Sequence, residues 1–261
     1  MKKELKVALM QMDICWGEER ANLQRIQDVA KSVSGKADIL AMPEMATTGF
    51  MMDERVFSMM GDNDVFDRLQ EIAEKNRIAL TGSVGVKDGK HNYNRAFLIA
   101  PHTAPQFQDK RHLFSPAQED MLMTAAKERN IWQFEGWKIL PVICYDLRFP
   151  VWCRNHGEEF DLLLAVANWP VPRRKVWKTL LLARALENQC YVIGVNRVGA
   201  DPNKLLYPGD SMAIDARGEY IIRCEPDKDT VEIATLDYDK LAEFKRKFPV
   251  LPDGDDFSIN L

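Results

Sequence analysis

The sequence predicts one α/β domain in which helices cover mixed β-sheets. Strand-like and helix-like segments alternate along the chain, and no linker rich in Gly, Pro or Ser separates them. The predicted strands are more numerous than one open, twisted sheet usually holds, so two layers of sheet are expected. A chain of 261 residues buries roughly 70–75% of its unfolded surface and needs no disulfide or structural metal to fold.

The first half of the chain predicts a β-α-β unit, a second helix and a hairpin. Apolar runs of strand length indicate the strands, and the second run ends at Pro43. Apolar residues three and four positions apart indicate the helices. The hairpin turns at residues 87–90. The predicted strands are residues 5–11, 38–42, 78–86 and 92–100, with a shorter one within 107–112, and the predicted helices are residues 18–33 and 65–76.

The second half predicts a hairpin, two buried strands around a helix, a closing meander and a terminal helix. The hairpin turns at Glu135 and Gly136, and the helix carries an apolar stripe that includes Trp177 and Leu181. The two long apolar runs are typical of strands covered on both faces. The predicted strands are residues 132–134, 137–144, 161–167, 191–198, 212–215, 220–223 and 230–237, and the predicted helices are residues 174–188 and 238–247.

Composition excludes several classes of protein. The net charge is −4, and the chain has no Lys- and Arg-rich face of the kind that nucleic-acid-binding domains carry. No run is long and apolar enough for a signal peptide or a membrane-spanning helix. Five irregularly spaced cysteines and four scattered histidines argue against a disulfide framework and a metal site. We therefore expect a cytoplasmic protein with free thiols and no metal.

Three chemically capable residues follow or close strand-like segments. Glu44 follows the strand that ends at Pro43, Cys144 closes another strand, and Lys110 lies in a third segment. Ligand sites of α/β sheets lie at the carboxyl ends of strands. A cysteine nucleophile needs a neighbour that accepts its proton or a cation that favours the thiolate. Taken singly, however, each residue also fits a structural role, and no function follows from one of them.

Together, these segments resemble the nitrilase superfamily of carbon–nitrogen hydrolases. Seven motifs carry the resemblance in order along nearly the whole chain: Pro43-Glu44, residues 109–114 (DKRHLF), residues 144–150 (CYDLRFP), residues 167–170 (ANWP), residues 183–189 (ARALENQ), residues 196–199 (NRVG) and residues 209–215 (GDSMAID). The resemblance implies a four-layer α-β-β-α sandwich in a single domain. The details look most similar to the omega-amidase branch, which hydrolyses 2-oxoglutaramate and related 2-oxo acid amides.

The resemblance also implies roles for individual residues. Cys144 would attack the amide carbon, Glu44 would act as general base, and Lys110 with the backbone N–H of Tyr145 would stabilise the oxyanion. Glu119 would be the second glutamate that usually lies between the lysine and cysteine motifs, and would orient the lysine and the substrate. No metal or organic cofactor is needed for this chemistry.

Substrate selection depends on other residues. A 2-oxo acid amide carries a carboxylate, which arginine binds in planar contact. Four arginines are candidates, with Arg173 preferred because loops after strands line the mouth of a pocket; the four are Arg148, Arg173, Arg174 and Arg197. Phe114 and Trp169 would form apolar walls. The same triad could also serve another linear amide, an N-carbamoyl compound or a nitrile.

Two classes outside catalysis remain as alternatives. A binding scaffold would not need Glu44, Lys110 and Cys144 together, and a thiol redox sensor would need a resolving cysteine beside Cys144, which is not recognisable in the sequence. We expect the hydrolase domain to span residues 1–247. Residues 248–261 form an irregular tail that must dock to be ordered and could cross to a partner subunit of a homodimer.

Overall fold

A computed structural model of the chain describes residues 2–53, 64–256 and 258. Its helices are α1 (Glu19–Val33), α2 (Asp64–Asn76), α3 (Glu119–Leu122), α4 (Arg174–Asn188) and α5 (Tyr238–Lys247). Its strands are β1 (Glu4–Gln11), β2 (Ile39–Ala41), β3 (Ala79–Asp88), β4 (His91–Ile99), β5 (Gln106–Asp109), β6 (Trp132–Phe134), β7 (Trp137–Ile143), β8 (Leu162–Ala167), β9 (Tyr191–Asn196), β10 (Val198–Ala200), β11 (Leu206–Pro208), β12 (Met212–Ile214), β13 (Tyr220–Arg223) and β14 (Thr230–Asp237). Within the described ranges, no helix is both long enough and apolar enough to cross a bilayer.

The strands form two mixed six-stranded sheets and one small ribbon. The first sheet has the order β14-β1-β2-β3-β4-β5, and the second has the order β13-β12-β9-β8-β7-β6. Each sheet has a parallel centre, β1-β2-β3 in the first and β7-β8-β9 in the second. Parallel strands need crossover connections, and helices α1 and α4 supply two of them. Strands β10 and β11 pair separately as the ribbon.

Alternating side chains divide the protein into layers. In β8, Leu162 and Leu164 point into the core between the two sheets, whereas Leu163 and Ala165 point outward against helix α4. In β1, Val7 and Leu9 likewise join the core between the sheets, while Ala8 and Met10 pack in the cluster that contains residues of α1 and α2. This period of two, with apolar residues on both faces, is what two buried sheets require. The predicted four-layer α-β-β-α sandwich is confirmed.

The predicted closing meander is wrong. Strands β12 and β13 pair with each other in the second sheet, but β14 leaves them and pairs antiparallel with β1 in the first. This pairing sets Leu236 opposite Leu5 and Ala234 opposite Val7, which places all four side chains in the core between the sheets. The strand predicted at residues 191–198 is also divided, because β9 ends at Asn196 and β10 turns away to pair with β11.

The first part of the C-terminal tail docks on its own chain. Gln189, at the end of α4, donates from Nε2 to the carbonyl of Phe248 at 2.7 Å and accepts the N–H of Val250 at 3.2 Å. Leu251 is buried within a short 3₁₀ turn at Leu251–Asp253. Side-chain and apolar contacts therefore order residues 248–253. Residues 257 and 259–261 of the predicted crossing segment lie outside the described residues.

Candidate active site

A cavity of about 440 Å³ opens at the carboxyl ends of the central strands. Glu44 enters it from the segment after β2, Lys110 follows β5 directly, and Cys144 follows β7 directly. The first two belong to one sheet and the cysteine to the other, so the cavity lies at the seam between the sheets. The structure brings these three distant residues to one place.

Lys110 lies between two carboxylates. Its Nζ donates to Glu44 Oε1 at 2.8 Å and to Glu119 at 2.8 Å and 3.1 Å, and all three side chains are essentially inaccessible to solvent. Burial acts to lower the pKa of Lys110, but the charges of Glu119 and Glu44 outweigh it and raise that pKa above its usual value. Lys110 is therefore a permanently charged ammonium at physiological pH.

Glu119 shares this buried cluster. Burial raises the pKa of the Glu119 carboxyl, and the nearby charge of Glu44 adds to the rise, while Lys110 opposes it. The N–H of Phe114 donates to Glu119 Oε2 at 2.6 Å. Glu119 begins the short helix α3, whose preceding residue, Gln118, adopts a left-handed backbone with φ 60°. This bend turns the glutamate inward toward the lysine.

Two asparagines hold the Glu44 carboxylate. Asn168 donates from its backbone N–H to Glu44 Oε2 at 2.9 Å and from its side chain to the Glu44 carbonyl at 2.7 Å. Asn94 donates from Nδ2 to Glu44 Oε1 at 2.9 Å and to Glu119 Oε1 at 3.2 Å. Asn168 belongs to a motif singled out in the sequence. Asn94 was missed, although it occupies a core-facing position of β4 where an apolar residue would be the norm.

Cys144 occupies a strained bend at the end of β7. Its φ is 47°, a left-handed conformation that non-glycine residues rarely adopt, and it begins the 3₁₀ turn Cys144–Arg148. Asp146 secures the turn by accepting the N–H of His112 at 2.7 Å. The bend leaves Cys144 partly exposed at the cavity wall.

The thiol is protonated in the resting site. Burial raises the pKa of Cys144, the charge of Glu44 raises it further, and Lys110 only partly offsets both effects. The Cys144 Sγ donates to the Asn168 carbonyl at 4.0 Å, and the Glu44 carboxylate is near enough for its charge to act on the thiol. The arrangement can therefore transfer the thiol proton to Glu44 as the sulfur attacks an electrophile.

Aromatic and guanidinium groups line the other side of the cavity. The Arg173 guanidinium lies over the Phe114 ring at 5.1 Å, and that of Arg148 lies over the Trp169 ring at 5.3 Å. Trp169 donates from Nε1 to the Arg173 carbonyl at 2.8 Å. Tyr145 packs edge-on against Phe114, with ring centroids 5.1 Å apart. All five predicted or candidate residues face the same cavity.

The other two candidate arginines have structural partners. Arg174 makes a two-point contact with Asp210, at 2.5 Å and 2.9 Å. Arg197 is completely buried and pairs with Asp13 at 2.9 Å. Across the described ranges, neither Arg148 nor Arg173 forms an ion pair. These two arginines are therefore the ones available to a bound anion.

The described ranges contain no group of three His, Cys, Asp or Glu side chains arranged to hold a metal ion. The charged and nucleophilic groups that line the cavity or contact its lysine are a thiol, four carboxylates (Glu44, Asp53, Glu119 and Asp201), an ammonium and two guanidinium groups. This set of groups is suited to nucleophilic and acid–base chemistry on a small polar substrate.

The carbon-nitrogen hydrolase family matches residues 6–246 of the chain. The match covers far more than half of the sequence, so the chain belongs to the carbon–nitrogen hydrolase family and is an enzyme of that class. The placement in the nitrilase superfamily is confirmed.

Several relatives align with this protein over almost its whole length. Omega-amidase YafV of Escherichia coli (strain K12) is 41% identical over 255 residues, which cover 98% of each protein. The 2-oxoglutaramate amidase of Bacillus subtilis (strain 168) is 32% identical, over 95% of this chain and 96% of that protein. The crystal structure of XC1258 from Xanthomonas campestris, a CN-hydrolase superfamily protein with an arsenic adduct in its active site, superposes with a TM-score of 0.95. It is 36% identical and covers 99% of this chain and 100% of that one.

Proposed function

We propose that this protein hydrolyses the omega-amide of a small 2-oxo dicarboxylic acid monoamide, such as 2-oxoglutaramate, to the acid and ammonia. Two relatives that match the chain along its length are named as an omega-amidase and a 2-oxoglutaramate amidase. The cavity, of about 440 Å³, is of a size suited to a small-molecule substrate.

The observation that carries the proposal is the pair of arginines in the cavity wall. Arg148 and Arg173 are each stacked on an aromatic ring, and neither forms an ion pair with a described residue. Stacking orders the planar guanidinium before a ligand arrives, and this planar fork matches a carboxylate. A substrate with an amide at one end and a carboxylate at the other would reach the thiol and an arginine together.

The first half of the proposed reaction forms a thioester. Glu44 accepts the Cys144 proton while the sulfur attacks the amide carbon, and the carbonyl oxygen becomes an oxyanion beside Lys110 and the N–H of Tyr145. The C–N bond then breaks, and Glu44 returns the proton to the leaving nitrogen, which departs as ammonia. Glu119 holds Lys110 in position through its two hydrogen bonds.

The second half regenerates the enzyme. Glu44 accepts a proton from water as the water attacks the thioester carbon, and the C–S bond breaks to release the carboxylic acid. The sulfur recovers its proton from Glu44. General acid–base catalysis of this kind contributes about 10²–10⁴-fold, and one oxyanion donor contributes about 10²–10³-fold.

Other reactions of the same superfamily are the second candidate. Another linear amide, an N-carbamoyl compound or a nitrile could react at the same thiol, since the first step is again attack on an electrophilic carbon. The two arginines favour those members that carry a carboxylate. Neutral amides and simple nitriles lack a partner for them.

Ammonia release from a matched substrate series tests the proposal. We expect 2-oxoglutaramate to be hydrolysed faster than glutaramate, which lacks the 2-oxo group, and much faster than neutral pentanamide. Cys144→Ala should abolish all three activities. Arg173→Gln should raise KM for the acidic amides about 10–100-fold, because a hydrogen bond to a charged group is lost, and should leave pentanamide hydrolysis unchanged.

Arg174→Gln provides the matched control, because the adjacent arginine is engaged by Asp210. It should not change the preference for acidic amides. Equal losses on acidic and neutral amides in Arg173→Gln would assign Arg173 to structure, and a wild-type protein that prefers pentanamide would contradict the substrate class.

Assembly and location complete the proposal. We propose a cytoplasmic homodimer, with residues 1–247 as the hydrolase domain and residues 248–261 as a tail that reaches toward the partner. The five cysteines are free, as expected in a reducing compartment. Leu186 and Phe248 are large apolar side chains that are 50% and 61% exposed, and Gln189 binds the Phe248 carbonyl. The net charge of −4 argues against a nucleic-acid partner.

A further inference from the structure

Asn94 is a polar side chain in an apolar position. It lies on β4, is fully buried, and shares its strand face with Ala96 and Leu98, which belong to the core between the sheets. Burying an amide there costs free energy unless hydrogen bonds replace those made with water. Its Oδ1 accepts no hydrogen bond from the described residues. The hydrogen bonds of this buried side chain are therefore those that its Nδ2 donates.

That nitrogen joins the two carboxylates of the active site. Asn94 Nδ2 donates to Oε1 of Glu44 at 2.9 Å and to Oε1 of Glu119 at 3.2 Å. Lys110 contacts the same two carboxylates from the other direction. Two buried carboxylates repel each other, so one of them would take up a proton unless donors stabilise both charges. Asn94 and Lys110 each donate to both carboxylates, whereas Asn168 donates only to Glu44 and Phe114 only to Glu119.

A neutral donor suits this position better than a second cation. An additional lysine or arginine would stabilise the ionised carboxylates so strongly that Glu44 would become a poor acceptor of the thiol proton. An aspartate would add a third negative charge. An amide donates to both carboxylates at once and adds no charge, so it orders them without a second cation beside Glu44.

We propose that Asn94 is a positioning residue of the reaction, which joins the carboxylates of Glu44 and Glu119 and holds Glu44 where it can accept the proton of Cys144. The inference rests on the proposed roles of Glu44 and Cys144, but not on the identity of the substrate. The titratable and charged groups that belong to this cluster or line the adjoining cavity come from several elements, and they are Glu44, Asp53, Lys110, Glu119, Cys144, Tyr145, Arg148, Arg173, Asp201 and Tyr207.

Alkylation of the nucleophile tests the inference without any substrate. Wild type, Asn94→Ala and Asn94→Asp are treated with iodoacetamide between pH 5 and pH 9, and the Cys144 peptide is quantified by mass spectrometry, because the exposed Cys15 also reacts. Loss of the donor favours the protonated carboxyl, so alkylation of Cys144 should begin at higher pH in Asn94→Ala. The added charge should move the onset further in Asn94→Asp.

Steady-state kinetics on 2-oxoglutaramate give the second readout. Loss of a hydrogen bond to a charged group should lower kcat about 10–100-fold, while KM changes much less, because Asn94 does not line the cavity. The acidic limb of the kcat profile should move to higher pH together with the alkylation profile. Asn94→Ala adds no charge, so it carries the test if Asn94→Asp does not fold.

Asn92→Asp is the matched control. Asn92 lies two residues away on the same strand and donates to the Leu122 carbonyl at 3.2 Å, outside the carboxylate cluster. It should keep both wild-type profiles. Folded Asn94 variants with wild-type profiles would overturn the inference. A shifted alkylation profile in an enzyme that does not hydrolyse 2-oxoglutaramate would support Asn94 and overturn only the substrate.

Discussion

Lys110 is the cation of a buried cluster that contains two glutamates. Its Nζ lies 2.8 Å from an oxygen of each carboxylate, and none of the three side chains has appreciable contact with solvent. Removing one partner of such a pair is costly, because the remaining charges stay buried without compensation. The proposed mechanism gives this same ammonium a second role, the stabilisation of the developing oxyanion.

Lys110→Met should lower kcat more than it raises KM. We expect at least a loss of about 10²-fold in kcat, the effect of one oxyanion donor, and a loss of about 3–5 kcal/mol in the free energy of unfolding. Steady-state kinetics and urea unfolding measure the two effects. Lys247→Met is the control, because Lys247 pairs with Glu243 on the exposed surface of α5. A variant in which only KM rises would remove Lys110 from the oxyanion site.

The site residues that could be predicted from the local sequence lie at or just after the ends of strands, within recognisable motifs. Glu44, Lys110 and Cys144 each stand in such a motif, and Glu119 stands between two of them. Asn94 has no motif of its own, and its two partners are 50 and 25 residues away along the chain. Its one local signal is polarity on the core-facing side of a strand, which becomes informative only once the strand's face is known.

At the scale of elements, the closeness of α4 to the second sheet depends on a glycine. A Cβ on Gly194 of β9 would lie 2.5 Å from Leu181 Cδ1 and 2.8 Å from Trp177 Cζ2. Both side chains belong to α4 and to the outer core of that sheet. The absence of a side chain at Gly194 lets the helix lie directly against the strand.

Gly194→Ala should lower the free energy of unfolding by about 1–3 kcal/mol, because it overpacks this contact. The measurement is urea unfolding of four proteins in a double-mutant cycle with Leu181→Ala. Truncation of Leu181 makes room for the new methyl group, so Gly194→Ala should cost much less in that background. An equal cost in both backgrounds would show that the methyl group does not meet Leu181.

Elements with a strong periodicity of apolar residues were predicted best. The predicted bounds of α4 and α5 agree with the structure, since each helix carries a clear apolar stripe between turn residues. Strand β14 was placed correctly along the chain but with the wrong partner. The alternation of apolar and polar residues in β14 indicates a strand with one buried face. That β14 pairs with β1 and not with β13 depends on long-range contacts, which the local sequence pattern does not contain.

At the scale of the whole molecule, buried thiols make the free energy of unfolding decrease as the pH becomes alkaline. Burial raises the pKa of Cys153 from 9.0 to about 12, and that of Cys224 to about 12 as well. The folded protein therefore holds these thiol protons more tightly than the unfolded chain does. The stability that they contribute is fully present below pH 9 and is lost as pH rises from 9 toward 12.

Thermal unfolding should therefore occur at progressively lower temperature as pH rises above 9. Cys153→Ala should flatten this dependence, because it removes one of the thiols that ionises on unfolding. Cys15→Ser is the control, since Cys15 is already exposed in the folded protein and should leave the slope unchanged. Scans from pH 7 to pH 11 measure the slope, and an unchanged slope in Cys153→Ala would contradict the argument.

The position of the cavity between the two sheets has a consequence for how the active site forms during folding. Glu44 extends from the first sheet, whereas Cys144 and Asn168, which grips the Glu44 carboxylate, extend from the second. In the proposed mechanism, a chain whose two sheets have not yet packed together would carry the Cys144 thiol without Glu44 as its base. The catalytic group would be complete only once the sheets pack, so a partly folded chain would not hydrolyse amides.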